Sequence, residues 1–383
     1  MKNIPLSVPN FCGNEKKYVM EAIETEWVST GGAFIDQFEK EIANYLSIDQ
    51  AVACQSGTAG IHLALRCLDV EADMEVIVPT LTFIAAVNPV KYLGAYPIFM
   101  DCDSSLTMDV EKLKKFIEFE CTLVDDRLIN KHTKRWIKAI IVVHVFGNNA
   151  NMIEIMKLAK KYNLKVIEDA TEALGSYYLE GEYKGAYLGT IGDMGVYSFN
   201  GNKIITTGGG GMLVSNNKEL LDRAKYLSTQ AKDDVANFIH NDIGYNYRMT
   251  NIQAALGIAQ LENLEKFISI KEKNYYLYKK NLSSKVKLMQ FNSNIRSNYW
   301  FYSVFVARED KQEIIKKLHE SGIITRPIWG LIHMQKPYIC EQNYCIEKAI
   351  FYHEHIINIP CSSNLTNDDV VYVGDKINSI VDK

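Results

Sequence analysis

Long apolar runs are missing from this sequence. Nowhere do about 18 apolar residues follow one another, so no membrane-spanning helix is expected. A basic excess is missing too: lysine and arginine total 42 against 46 acidic residues, a formal charge of −4. Binding nucleic acid by bulk electrostatics needs a cationic surface, so neither nucleic acid nor a membrane is an expected partner. The opening MKNIPLSVPNFCGNE has prolines and an acid where a leader peptide needs an apolar stretch, and no export signal is expected. The eight cysteines contain no CxxC pair, so reduced thiols, a cytoplasmic location and no bound metal are expected. No repeat of about 20–50 residues is visible, which argues against a solenoid. What is present is globular: 47% hydrophobic and 23% charged residues supply a core and argue against long disorder. The 383 residues leave room for two or three domains of ~150 residues each.

From about 50 to 215 short apolar runs alternate with amphipathic stretches. AVAC (51–54), VIVP (76–79), YPIFMD (96–101), IKAIIVVHVFG (137–147), LKVIEDA (164–170), GVYSF and GMLVS read as strands. QSGTAGIHLALRCL, AAVNPVKYLG and MIEIMKLAKKYN read as the helical connections. Strands too apolar to alternate, separated by helices, predict an α/β fold with a mostly parallel central sheet covered on both faces. After about Thr250 the character changes. TNIQAALGIAQLENLEKFISIKEKNYYLYKKNL predicts one or two long helices capped by Thr250 or Asn251, NYWFYSVFVA (298–307) a strand, KQEIIKKLHESG a helix closed by Gly322, and the tail from Thr366 a helix. The expected division is a large domain over 1–250 and a smaller α+β domain over 251–383. The charged, aperiodic stretch from Phe116 to Trp136 reads as a surface insertion.

Three features fall at turns next to apolar strands, where α/β sheets place ligands. Gln55-Ser56-Gly57-Thr58-Ala59-Gly60 follows a strand and opens a helix, whose first backbone amides are unpaired and carry partial positive charge. Alone it could equally be a capped turn, and it is no P-loop, because GxxxxGK is absent. Asp169 ends a strand, with Glu172 three residues on; such a carboxylate could hold a ribose, a metal or a protonated ring nitrogen, or simply cap a helix. SFNGNKIITTGGGG places Lys203 in a turn between strands; a lysine there could form a Schiff base if a confined site lowers its pKa, and taken alone it reads more simply as a surface lysine in a flexible glycine loop. Together, a phosphate cradle, a carboxylate and an aldehyde-capturing lysine are the groups that pyridoxal 5′-phosphate requires.

At these residues the sequence resembles the DegT-type sugar-nucleotide aminotransferases, which use pyridoxal phosphate on an aspartate-aminotransferase-like (type I) fold. The likeness runs nearly end to end, through WVSTGGAFIDQFEKEIANYL, SGTAGIHLAL, VPTLTFIAAVNPVKYLGAYPIFMDCD, HVFG, VIEDATEALGS, YSFNGNKIITTGGGGM, GYNYRMTNIQAALGIAQLENL and ITRPIWGLIH. It implies that Lys203 is the Schiff-base lysine and proton carrier, and that Asp169 pairs with the pyridine nitrogen. Gly57, Thr58, Ala59 and Ser198 would hold the phosphate, and Phe83 would cover one ring face. Glu172 matches a position near the ring hydroxyl that is commonly Gln. Asn246 matches a residue given to the phosphate by a neighbouring subunit, which implies a homodimer with shared sites. Trp27, Ser29, Thr30, Arg248, Arg326 and His333 match segments that approach the nucleotide sugar.

Within the family, YLSTQAKDD and HNDIGYNYRMTNIQAALG most resemble enzymes of the legionaminic and bacillosamine type. That resemblance implies amination of C4 of a nucleotide-linked 4-keto-6-deoxy-N-acetylglucosamine, with L-glutamate as donor, for a surface polysaccharide or glycan. Perosamine synthases, acting on GDP-4-keto-6-deoxymannose, are the close alternative. A nicotinamide-dependent reductase or epimerase is disfavoured: the YxxxK matches at Tyr275–Lys279 and Tyr276–Lys280 sit on a charged helical stretch, and no glycine fingerprint precedes them.

Overall fold

The computed structural model describes residues 3–382. Ten strands follow in order to residue 214: β1 (Ala51–Cys54), β2 (Glu75–Pro79), β3 (Tyr96–Met100), β4 (Cys121–Val124), β5 (Arg127–Asn130), β6 (Trp136–Val143), β7 (Lys165–Asp169), β8 (Tyr177–Tyr178), β9 (Met194–Ser198) and β10 (Gly211–Val214). The main sheet has the order β1-β10-β9-β7-β6-β2-β3, with Asn343–Tyr344 on its far edge. Along this path each strand from β9 to that edge is parallel to the next, while β10 runs antiparallel to both β9 and β1 and β5 joins β6 antiparallel off the path. β2 and the second half of β6 are buried on both faces, as unbroken apolar runs require. The expected α/β fold with a mostly parallel sheet is what the chain adopts.

This topology gathers the chemistry at one edge. β1, β7 and β9 run the same way, so Cys54, Asp169 and Ser198 end their strands together. Gly211, the first residue of β10, pairs with both Cys54 and Ser198, and Asp169 pairs with Val196. The helix Gly57–Cys67 leaves this edge, with Ser56 as its N-cap. The turn carrying Lys203 joins β9 to β10 at the same edge.

Several local expectations differ from the structure. The stretch 116–136 is not an aperiodic insertion: after the helix Val110–Glu120 it forms the β4–β5 hairpin, and β5 pairs with β6. Asp125 and Asp126 both adopt positive φ, 48° and 59°, the geometry of a two-residue hairpin turn that Asp tolerates. The charged residues face outward from an edge. The connection 85–94 is helical only over Asn88–Tyr92, after a 3-10 turn at Ile84–Ala86. In 298–307 only Tyr302–Phe305 is a strand; the residues before it are drawn off by contacts with loops of the main sheet.

Beyond residue 250, Thr250 caps the helix Asn251–Leu261 in a capping box with Gln253, which satisfies the first amides reciprocally. This helix packs on Glu15–Glu24 and Ala33–Leu46. An antiparallel four-stranded sheet, ordered 287–288, 302–305, 356–359 and 326–327, carries the helices Leu264–Asn281, Lys311–Glu320 and Asn367–Val381. Among the described residues no helix is long and apolar enough to cross a membrane.

Candidate active site

Lys203 sits in a turn whose backbone bond runs from its own N–H to the Asn200 carbonyl at 3.0 Å. Its side chain is 13% exposed, and Nζ lies 3.9 Å from Glu172 Oε1 and 4.4 Å from the centre of the Trp300 ring. The first distance is too long for a hydrogen bond. Burial therefore dominates: it pushes the lysine down, against the pull of Glu172 and Asp169, and pushes the Glu172 carboxyl up to about 7, against the pull of Lys203. Both groups move toward their neutral forms, the condition a lysine nucleophile needs.

Glu172 is placed by the peptide N–H of Phe146, which donates to Oε2 at 2.8 Å. Phe146 has φ +58°, and that local turn aims its amide at the carboxylate. Asp169, at the end of β7, is 4% exposed, and its Oδ1 accepts the Thr171 N–H at 3.1 Å. Burial raises its pKa, while Thr171 and the charges of Lys203 and His144 oppose the rise. Among the described residues no basic group pairs with it directly. The neighbouring carboxylate is the opposite case: Glu168 accepts from His144, Gly189, Ile191 and Gly192, and those bonds hold its pKa below the ordinary value despite complete burial. Glu168 is spent on structure; Asp169 keeps capacity for a cationic partner.

Around Gly57 the chain leaves a tight corner. A Cβ there would lie 3.0 Å from Ser198 Cβ and from Thr171 Cγ2, and 3.3 Å from Ser198 Oγ. Ser56 Oγ accepts the Ala59 N–H at 3.1 Å, so the outward donors of this helix start are Gly57 and Thr58, with the Ser198 hydroxyl beside them. Helix N-termini with free amides take anions. A phosphate cradle, an unpaired buried carboxylate and a buried amine all lie at one sheet edge. The residues present fit pyridoxal phosphate.

The other candidates make their contacts elsewhere among the described residues. His333 Nδ1 is 2.6 Å from the Thr80 hydroxyl, and Ile332 N–H donates to the Thr80 carbonyl, so the segment ending at His333 docks beyond the end of β2. Phe83, three residues after Thr80, is 56% exposed. Arg248 approaches Asp36 at 3.6 Å. Thr30 is half-buried, while Ser29, Asn246 and Arg326 are exposed, and Trp27 is 62% exposed. Among the described residues none of Trp27, Ser29, Thr30, Phe83, Asn246, Arg248, Arg326 and His333 forms a hydrogen bond or ion pair with Asp169, Glu172 or Lys203.

Sequence reading missed three residues. Asn251, expected only as a cap, holds the 27–34 loop: its N–H donates to Ser29 O (2.7 Å), its Nδ2 to Trp27 O (2.7 Å), and its Oδ1 accepts Phe34 N–H (3.0 Å). Asn298 and Trp300 bond the Glu172 and Lys203 loops from about 100 residues further along the chain. The aromatic, β-branched run containing them reads as strand, which hides their polar contacts.

Residues 10–378 match the DegT/DnrJ/EryC1/StrS aminotransferase family. The chain belongs to this family. It is an aminotransferase whose cofactor is pyridoxal 5′-phosphate and whose substrates are a nucleotide sugar and an amino donor. It is similar to a GDP-perosamine synthase of Escherichia coli O157:H7, 39% identical over 380 residues that span 99% of this chain and 98% of the relative. It is also similar to a GDP-perosamine synthase of Caulobacter vibrioides, 35% identical over 377 residues, 97% and 96% of the two chains. Among solved structures the aminotransferase TlmJ of Streptoalloteichus hindustanus superposes with a TM-score of 0.89 at 24% identity, covering 99% of each chain; at that identity it speaks for the fold alone. The relatives' names favour the perosamine alternative over the N-acetylglucosamine substrate expected first from sequence.

Proposed function

We propose that this aminotransferase transfers the amino group of L-glutamate to C4 of GDP-4-keto-6-deoxymannose, the reaction of a GDP-perosamine synthase, serving a surface polysaccharide. The observation that carries this is the end-to-end likeness, at 39% identity, to a protein of that name. When bound, the cofactor supplies an electron sink through which an amino group is exchanged between donor and keto sugar. Lys203 is proposed to hold the cofactor and to carry the proton at the reacting carbon; its burial and its distance from any hydrogen-bonding acid support that role. Asp169 would face the ring nitrogen and keep it protonated. Glu172, near neutral, would lie at the ring hydroxyl. Gly57 and Thr58 amides with the Ser198 hydroxyl would bind the phosphate, with Ala59 supporting through its bond to Ser56, and Phe83 would cover the ring.

The rim residues Trp27, Ser29, Thr30, Arg248, Arg326 and His333 are assigned to the nucleotide sugar. Asn246 is assigned to the phosphate of a second subunit in a homodimer. Support for that partner comes from its surroundings: Val235, Phe238 and Ile243, on the hairpin just before it, are 72%, 74% and 78% exposed, more apolar surface than water favours. The division into 1–250 and 251–383 is proposed on the separate four-stranded sheet that forms after residue 250, and limited proteolysis tests it.

The test is a panel of nucleotide-linked 4-keto-6-deoxy sugars incubated with glutamate and analysed by mass spectrometry. GDP-4-keto-6-deoxymannose should be aminated fastest. Faster turnover of a UDP-linked N-acetylated sugar would return the substrate to the reading first drawn from sequence. The two half-reactions also predict ping-pong kinetics.

A further inference from the structure

The segment 298–301 grips two active-site loops at once. Asn298 Nδ2 donates to the carbonyls of Glu172 and Leu174, both at 2.9 Å, and its backbone N–H to Ser176 Oγ at 2.9 Å. Its Oδ1 in turn accepts the Trp300 N–H at 3.0 Å. The Trp300 indole N–H donates to the carbonyl of Asn202, the residue before Lys203, at 2.8 Å. The Trp300 carbonyl is held from behind by Lys271 Nζ at 3.1 Å. Trp300 is 3% exposed. Every polar group of this tryptophan is engaged, and the Lys203 amine lies over its ring, 4.4 Å from the centre.

We propose that Trp300, set by Asn298, is a positioning residue for Lys203: its indole N–H fixes the turn that carries the lysine, and its face cradles the amine while that amine is free of cofactor. This rests on Lys203 being the cofactor lysine. A π face suits the task better than an acid would. It attracts the ammonium form and has almost no hold on the neutral amine, so the nitrogen is kept in place yet released as it deprotonates to react. A carboxylate in hydrogen-bond contact would tie up the same proton. Glu172 at 3.9 Å and Asp169 are the charged groups that also face the amine, and Asn298 holds Glu172 through its backbone carbonyl alone, leaving that carboxylate short of hydrogen-bond contact with the amine.

The experiment starts with the holoenzyme. Borohydride reduction and peptide mapping should find the cofactor on Lys203; finding it on another lysine removes the functional reading itself. In cofactor-free enzyme the pH dependence of Lys203 acylation by a small reagent, followed by mass spectrometry, is then compared with Trp300→Phe and Trp300→Leu. Weakening the π face in Phe should lower the midpoint by about half a unit, and removing it in Leu by about one unit, a three- to tenfold faster acylation below it. A merely structural role predicts the opposite sign, because a loosened pocket admits water and restores the ammonium. An unchanged or raised midpoint in Trp300→Phe overturns the proposal while leaving Lys203 in its role. If Trp300→Leu does not fold, the Phe variant decides alone.

Discussion

At the floor of the proposed site, Asp169, Glu172 and Lys203 are buried; burial raises both acids and lowers the lysine, and the lysine's charge opposes the rise in each acid. At the proposed rim, Trp27 and Phe83 are 62% and 56% exposed and Asn246 has no side-chain partner among the described residues. The floor is finished within one chain: its neighbours already define an acid, an amine and an anion cradle. The rim is finished only as backbone. Asn251 ties down the carbonyls of Trp27 and Ser29 while leaving the Trp27 side chain outside. A rim of this kind suits groups that wait for substrate or a second subunit, and substitutions should separate the two regions by what they change.

The largest effect belongs to the floor. Lys203→Ala removes the amine that faces Asp169 and Glu172, and turnover should fall by about 10³-fold or more, the scale of a lost proton-transfer group. Borohydride should no longer trap cofactor on the protein. Retained trapping would move the Schiff base to another lysine and dissolve the floor as described.

Glu172→Gln sharpens the comparison through pH. The Glu172 carboxyl is raised to about 7 in the folded chain from an ordinary ~4.3 when unfolded. A raised acid binds its proton more tightly in the folded state, so its contribution is fully present below the unfolded pKa and is lost as pH rises through about 7. The amide keeps an oxygen for the Phe146 N–H and cannot ionise. Urea denaturation of the cofactor-free proteins should therefore show the variant gaining on the parent from about pH 5 to about pH 8, by a few kcal/mol on the order of the shift. A difference that stays flat over that range would mean Glu172 is hydrated or already paired.

How much of this was legible in the sequence follows the same line. The floor announced itself because its chemistry sits at strand ends: Asp169 closes an apolar run, Ser56 and Gly57 open a helix, and Lys203 lies between two strands. Those are local signals with a period or a cap behind them. Asn298, Trp300 and Asn251 could not be found this way, since their roles depend on loops more than 90 residues away in the chain. The hairpin at 121–130 was misread for a different reason. Its strands are short and lie at an edge, where charged residues are favoured and alternation is too brief to register; the Asp125-Asp126 pair was the available turn signal. The sugar was never legible in periodicity, because the rim residues proposed for it are exposed or half-buried and leave no mark on packing.

The phosphate corner gives a smaller effect. Gly57→Ala places a methyl 3.0 Å from Ser198 Cβ and Thr171 Cγ2, which forces a shift of a few tenths of an ångström in groups anchored to strand ends. Cofactor affinity should weaken about tenfold, equivalent to ~1.4 kcal/mol, measured by fluorescence titration of the cofactor-free enzyme. The fold should be untouched, since the helix cap resides in Ser56 and not in Gly57. Unaltered affinity would show that the phosphate lies elsewhere.

Trp27→Ala is the mildest test and the one that examines the rim itself. The side chain is mostly in solvent, and the backbone it hangs from is held by Asn251, so truncation should leave both cofactor retention and thermal stability where they were. If the indole packs on the nucleotide sugar, its loss should raise KM for the keto sugar about fivefold, ~1 kcal/mol of binding, with KM for glutamate unchanged because the smaller donor does not reach the rim. That split between the two substrates is the signature of a surface reserved for the nucleotide sugar. Equal changes for both, or loss of cofactor, would make Trp27 part of the floor's support and erase the boundary between the two regions.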